Sequence, residues 1–275
     1  MFETISPFPG VTHITDAMGV SFTLIEGTER AILFDTGYGT EDVAAFVGTL
    51  TEKPLTVLLS HGHHDHMLGA RWFRGTMLCR EDMDEFRERT GEGQRKKVME
   101  QAEERGVPVP EDFITAVIPM PQEIRFSCRT GGFDTVRTEL GGMTAWIVKV
   151  PGHTPGSIVI YVPERELLLT GDDWNPCTWM WFPSSLPATV WRENMTALIS
   201  ALEQESGTAV RNVLCSHQPV PRAGEELKEF LSWMTNRRLE EAPGVDMGAP
   251  IDTHQAVREE RGWTLIFDRM KITGR

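Results

Sequence analysis

The segment His61-Gly-His-His-Asp-His66 gathers imidazoles and a carboxylate within one short stretch. Nitrogen and oxygen donors of this kind suit Zn, Fe, Mn and related ions. The segment follows an apolar run, Leu55-Thr-Val-Leu-Leu-Ser60, which reads as a strand. A strand end fixes backbone direction, so side chains leaving it can converge. On extended backbone His61 and His63, two apart, point the same way. Asp65 and His66 follow as the chain turns and can face a second ion.

The elements that position this segment recur along the chain. Gly19 to Gly37 reads as a hairpin turning near Glu26 to Arg30, and Gly156 to Asp172 has the same plan. Each second strand ends in a Gly/Asp turn, Asp35-Thr-Gly37 and Thr170-Gly-Asp172. A helix follows each, roughly Glu41 to Leu50 and Thr189 to Gln204, the latter with Trp191, Met195, Leu198 and Leu202 on one face. Each helix leads to a strand ending in Ser-His, at His61 and at His217. This duplication predicts two sheets related by approximate twofold symmetry, with helices outside and strand ends meeting at one edge. Ligands distant in sequence can then converge.

These pieces together resemble the metallo-β-lactamase superfamily. The matching motifs occur in family order: Asp35 after a strand, the His61-x-His63-x-Asp65-His66 cluster, His153 in the turn Pro151-Gly-His-Thr-Pro-Gly156, Asp172 after Gly171, and His217 after a strand. The resemblance implies an α/β fold, an αββα four-layer sandwich built from two pseudo-repeated halves. It also implies two divalent metal ions, with Zn favoured and Fe or Mn as alternatives. One ion takes His61, His63 and His153; the other takes Asp65, His66 and His217; Asp172 bridges them. Asp35 supports the ligand loops rather than binding metal. Three terminal ligands and a shared carboxylate per ion leave coordination positions open, as catalysis requires, whereas a structural zinc is closed by four protein ligands and favours Cys. Cys79, Cys128, Cys177 and Cys215 match no ligand position.

Composition bounds the alternatives. A chain of 275 residues with 40% hydrophobic and 24% charged residues can bury a sizeable core. A net charge of −13 argues against a nucleic-acid groove and an anionic membrane surface. The widely spaced cysteines and the N-terminus, which lacks the features of a signal peptide, point to free thiols and a cytoplasmic location. No apolar run reaches transmembrane length. The whole chain, 1–275, reads as one domain. It carries a charged helical insertion at about 80–126, broken at Thr90-Gly-Glu-Gly93, which either lines the site or is a solvated excursion. A tail at about 222–275 contains one helix, Arg222 to Glu240, and a last strand, Trp263 to Ile272. Phe133 to Val150 reads as a strand pair turning at Gly141-Gly142.

Other residues near the motifs divide into substrate-facing and structural groups. Trp174 to Pro187 is rich in aromatics and prolines and reads as an irregular loop at the pocket mouth, with Trp174, Trp179 and Trp181 as substrate contacts. Tyr38 is a candidate hydrogen-bond donor to substrate. His64, His13, His254 and Asp173 are read as supporting or structural residues.

The chemistry this implies is metal-assisted hydrolysis of an ester, thioester or lactone-like small molecule, by a hydroxide shared between two ions and oriented by Asp65 or Asp172. No separate acid for the leaving group is evident, which favours thiolate or alkoxide over amide nitrogen. Within the resemblance, glyoxalase II-like thioesterases and lactonases use all seven ligands. The tail, however, shows no clear basic cluster for a glutathione carboxylate. Alternatives are an iron-dependent redox member such as a sulfur dioxygenase, and a non-catalytic metal-dependent sensor. The sequence does not specify an oligomeric state.

Overall fold

The computed structural model describes residues 1–273; the last two residues of the predicted tail lie outside the described residues. The first sheet has 7 strands in sequence order: β1 (Glu3–Phe8), β2 (Val11–Thr15), β3 (Ser21–Glu26), β4 (Ala31–Phe34), β5 (Leu55–Leu58), β6 (Met77–Leu78) and β7 (Gln122–Glu123). Strands β1 to β4 are antiparallel, and β4 to β7 are parallel. The second sheet also has 7 strands: β8 (Cys128–Thr130), β9 (Phe133–Glu139), β10 (Thr144–Lys149), β11 (Ile158–Val162), β12 (Leu167–Gly171), β14 (Asn212–Cys215) and β15 (Arg222–Ala223). The remaining strands, β13 (Cys177–Met180), β16 (Thr253–Arg258) and β17 (Trp263–Asp268), form a 3-stranded sheet of order β13-β17-β16.

The internal repeat is visible in the strand pairing. β3 pairs antiparallel with β4, helix α1 (Val43–Leu50) follows, and β5 returns parallel to β4. β11 pairs antiparallel with β12, a long helix (Ala188–Ser206) follows, and β14 returns parallel to β12. Period-2 alternation assigns the faces. In β4, Ile32 and Phe34 face between the sheets while Ala31 and Leu33 pack outward with Val43 and Val47 of α1. In β12, Leu167 and Leu169 join that same central layer, and Leu168 packs outward with Trp191, Met195, Leu198 and Leu202 of the long helix. Strands buried on both faces read as continuous apolar runs. Four layers result, helix, sheet, sheet and helix.

The remaining helices are α2 (His64–Met67), α3 (Met83–Arg89) and α4 (Glu92–Glu104), then the long helix as α5, followed by α6 (Gly224–Trp233) and α7 (Asn236–Glu241). The hairpin β9–β10 turns at Gly141 and Gly142 as expected, both at positive φ (92° and 73°), a conformation that costs glycine little. The predicted helix Arg222 to Glu240 is instead two helices. Met234 leaves the helical region, and Thr235 caps α7 by accepting from the Arg238 N–H. The tail also contributes more than one strand. β17 pairs with β16 on one side and with β13 on the other, so part of Trp174 to Pro187 is regular strand rather than loop. No helix among the described residues is long and apolar enough to cross a membrane.

Candidate metal centre

The predicted ligands all leave the C-terminal ends of strands or the turns that follow them. β4 and β5 are parallel, as are β12 and β14, so Asp35, His61, Asp172 and His217 emerge in one direction. The sheets are stitched together beside them, Ile158 N–H donating to Ser60 O at 2.9 Å and Ser21 N–H to Ser216 O at 2.7 Å.

Two groups of donors result. The ligand atoms of His61, His63 and His153 lie within 4.8 Å of one another, and so do those of Asp65, His66, Asp172 and His217. Asp172 faces both: its Oδ2 is 3.8 Å from His153 Nε2, 3.3 Å from His66 Nε2 and 3.2 Å from His217 Nε2. His63 Nδ1 and His153 Nε2 are 2.9 Å apart. Asp65 Oδ2 lies 3.4 Å from His66 Nε2 and 3.6 Å from His217 Nε2.

Outer partners hold these rings in place, the arrangement that fixes imidazole tautomers around a metal. His61 Nδ1 meets Ser60 Oγ at 2.9 Å, and His153 Nδ1 donates to Trp179 O at 2.7 Å. His66 Nδ1 lies 3.0 Å from Asp35 Oδ2, while Asp35 Oδ1 accepts from the Ser60 N–H at 2.6 Å. Asp35 does this from φ 71°, a left-handed conformation that Asp tolerates better than most side chains. One carboxylate thereby joins the end of β5 to α2.

Four supporting residues were not singled out by the sequence reading. Asn175 donates to Asp172 Oδ1 at 3.0 Å and accepts from the His217 N–H at 3.1 Å. Glu85 Oε1 lies 3.4 Å from His63 Nε2. Ser60 is the partner of His61 described above. Asp82 joins two loops that carry predicted ligands: Oδ2 accepts from the Gly62 N–H (3.0 Å) and Thr154 Oγ1 (2.6 Å), and Oδ1 accepts from the Gly156 N–H (2.7 Å). A Cβ at Gly156 would sit 2.5 Å from Asp82 Oδ1, so glycine is needed for this approach. Asp82 and Glu85 stand in the run Arg80-Glu-Asp-Met-Asp-Glu85, where no spacing distinguishes inward carboxylates from solvated ones.

The donor set fits metal ions. His61 Nε2 and His66 Nε2 are buried with no hydrogen-bond partner, an arrangement that costs free energy unless something accepts their lone pairs or protons. The electrostatics agree. Burial, then the neighbouring imidazoles, hold His61 well below the ordinary histidine range, and burial with His63 takes His153 to about 3, so both rings stay neutral and able to ligate. At His66 burial opposes protonation, but Asp65, Asp172 and Asp35 outweigh it and hold the pKa well above the ordinary range. At Asp65 and Asp172 burial favours the acid form, yet the His66 and His217 charges keep both carboxyls well below their ordinary values. Negative charge converges there on a position suited to a cation.

Residues 15–172, more than half of the 275-residue chain, match the profile of the Metallo-beta-lactamase superfamily. The chain belongs to that superfamily. A hydroxyacylglutathione hydrolase from Hyphomonas neptunium is 34% identical over 127 residues, which cover 42% of this chain and 46% of that protein; the match thus spans about half the relative's length. Among solved structures, the stereoselective inverting sec-alkylsulfatase Pisa1 from Pseudomonas sp. superposes with TM-score 0.60 at 18% identity, covering 87% of this chain and 43% of that one. The metallo-β-lactamase FIM-1 from Pseudomonas aeruginosa, in its mono-zinc form, superposes with TM-score 0.53 at 18% identity, covering 85% and 94% of the two chains. These structural likenesses show the superfamily fold.

Beside the donor groups, this superfamily member has a cavity of about 640 Å³. Tyr38, Trp179 and Trp181 line it. Trp174, expected beside them, does not: it is fully buried and packs edge-on against Phe230 of α6, 6.2 Å between ring centres. It precedes β13 and turns under α5 and α6, whereas Trp179 and Trp181 follow the strand's alternation to the cavity side. Phe182, the one phenylalanine among the aromatics of that stretch, stacks on Trp181 at 4.5 Å. His64 lines the cavity, edge-on to Tyr38, with burial taking its pKa down to about 4. His254 is held away from the cavity by Ala242 O, and Asp173 is buried, accepting from the His153 N–H.

His13 supports the site from β2. Its Nδ1 meets Thr23 Oγ1 at 2.8 Å and its Nε2 meets the carbonyl of Gln218, next to His217, at 2.9 Å. Burial lowers its pKa below 6.5, with the Gln218 carbonyl opposing. Well above pH 6.5 both folded and unfolded chains carry it neutral. Below that the unfolded chain gains a proton that the folded chain resists, so stability falls as pH drops from the unfolded pKa toward the lower folded one. We expect metal-loaded His13→Gln to lose less stability than the parent between about pH 7.5 and about pH 5.5 in urea titrations. Equal losses would remove His13 as a contributor.

Proposed function

We propose that this superfamily member is a metal-dependent hydrolase that cleaves an ester, thioester or lactone of a small molecule at a two-ion centre. The observation that carries this reading is the position of Asp172, facing both donor groups at the foot of the cavity. In this reading His61, His63 and His153 hold one ion, Asp65, His66 and His217 the other, and Asp172 lies between. Zinc fits the donors, and iron or manganese fits them too. When bound, such ions acidify a water and polarise the carbonyl under attack. The identity to a hydroxyacylglutathione hydrolase supports a thioester or related bond as the target.

The chain's own residues supply the remainder. Asp65 and Asp172 present carboxylate oxygens where an attacking water is to be oriented, and either can accept its proton. Tyr38 keeps its phenol proton, because burial and then Asp65 and Asp16 raise its pKa; it is therefore a donor for a substrate oxygen. Trp179, Trp181 and Phe182 exclude water from one side and offer an apolar surface to the acyl or ring group. The whole chain acts as one unit, with the segment at 80–126 forming a wall of the site.

Metal analysis of purified protein, followed by thioesters, lactones, phosphodiesters and β-lactams, tests this. The expected result is two ions per chain and turnover of thioesters or lactones that a chelator abolishes and added metal restores. One ion or fewer at saturation, or no hydrolysis of either class, would overturn it.

A further inference from the structure

The chain is acidic overall, with net charge −13, and Asp65 and Asp172 are among the residues lining its cavity. The insertion nevertheless puts two arginines on the cavity walls, Arg89 at the end of α3 and Arg105 just beyond α4. They are differently engaged. Arg89 is paired with Glu85, Nη2 to Oε1 at 2.9 Å, and lies 5.6 Å above the Phe182 ring. Arg105 has no carboxylate partner among the described residues. A single nitrogen, Nη1, donates to the carbonyl of Met18 at 2.6 Å, and its other guanidinium nitrogens make no hydrogen bond there.

The local structure pre-positions this cation. α4 ends at Glu104; Gly106 takes φ 67°, and the Val107 N–H returns to Ala102 O at 2.8 Å, so the chain turns sharply at Arg105. A helix C-terminus favours positive charge. The carbonyl that docks Arg105 is itself fixed, because Asp16 Oδ1 accepts from the Met18 and Val20 N–H groups and Asp16 Oδ2 from the Tyr38 N–H. Gln101, one helical turn before Arg105, also lines the cavity and adds an amide donor. The Arg105 charge reaches Tyr38, where it opposes the effect of Asp65 and Asp16 on the phenol. A guanidinium with one N–H docked and the others open is arranged to receive a carboxylate as a fork.

The cavity lining thus combines an aromatic cluster, Trp179, Trp181 and Phe182, with an open cation at Arg105. We propose that Arg105, assisted by Gln101, binds a free carboxylate that the substrate carries away from its scissile bond, so that the preferred substrates are monoanionic thioesters or esters with an apolar body. This deepens the hydrolase reading above and rests on it for the bond cleaved. It also places substrate-anion recognition in the insertion, where the sequence reading looked for it in the tail.

Matched substrates test it on the metal-loaded protein. S-(2-carboxyethyl) thiobenzoate is compared with its primary amide, and S-phenyl monothioglutarate with its primary amide, so the anion is placed once on the leaving group and once on the acyl group. The expected result is a kcat/KM ratio, acid over amide, of about tenfold or more in one pair, a typical size for a charge-assisted hydrogen bond. Arg105→Gln should bring that ratio to within about twofold of unity, and Arg105→Lys should restore part of it. No preference in either pair, or a preference that persists in Arg105→Gln, would overturn the assignment. Calorimetric titration with 3-(benzylthio)propanoate and its amide, which contain no scissile bond, reads the same subsite without turnover. The acid should bind about tenfold tighter to the parent than to Arg105→Gln, with the amide unchanged by the substitution. If no thioester is hydrolysed but this binding difference is present, the thioester reading fails and the anion subsite stands. If hydrolysis proceeds without the difference, the subsite fails and the hydrolase reading stands.

Discussion

Asp172→Asn is expected to lower kcat/KM by about two orders of magnitude or more at saturating metal, the size of effect seen when a group preorganised around a reacting centre is lost. Asp172 leaves the end of β12 with Oδ2 facing both donor groups, 3.2 Å from His217 Nε2 in one and 3.8 Å from His153 Nε2 in the other. An amide of the same shape replaces one anionic oxygen by an N–H₂ group and removes the negative charge between the groups. Asn175 loses its good acceptor at Asp172 Oδ1 if the new amide turns its nitrogen that way. The fold should survive, because Asp172 stands outside the apolar clusters and its carboxylate contributes no packing between the layers. Metal affinity, and kcat/KM at saturating metal, should both fall while the circular dichroism spectrum is retained. Near-native activity in metal-replete Asp172→Asn would exclude Asp172 from the reacting centre.

The legible parts of this structure follow from local rules. Alternation in β4 and β12 foretells which leucines and isoleucines meet between the sheets, and the repeated hairpin, helix and strand foretells that His61 and His217 leave parallel strands in matching places. Trp179 and Trp181 could be assigned to a common face because extended backbone alternates. Trp174 could not, since no period governs the turn between β12 and β13. β13 itself escaped the reading. Its partner β17 is remote in sequence, and pairing between distant segments leaves no local pattern in either one. The break between α6 and α7 was hidden for another reason: Leu227, Phe230, Leu231 and Met234 keep helical spacing up to the residue where the backbone departs. Charged segments are the least legible. Arg80 to Glu85 reads as a solvated helix start, yet Asp82 is 1% exposed and joins two ligand loops, while Asp84, two residues on, has a 96% exposed side chain.

That contrast supplies the second large effect. Asp82→Asn should weaken metal binding at His61, His63 and His153 by about 10- to 100-fold, the usual consequence of losing a residue that orients ligands. The carboxylate accepts three hydrogen bonds at once, from Gly62 between His61 and His63, and from Thr154 and Gly156 beside His153. An Asn side chain has one oxygen, so at least one buried N–H or O–H must then face an N–H₂ group, an unmet donor that costs about 1–3 kcal/mol. The strain falls on the spacing between the two loops, and that spacing sets whether His63 and His153 converge. Asp65, His66 and His217 do not bond to Asp82, so the other donor group should keep its affinity. Chelator competition should consequently show one weakened and one unchanged ion per chain in Asp82→Asn, against two unchanged ions in Asp84→Asn. If both sites of Asp82→Asn keep parental affinity, the ligand loops hold their own geometry and Asp82 contributes only to folding stability. Equal weakening of both sites would mean that the two donor groups are coupled through Asp172 strongly enough to respond as one.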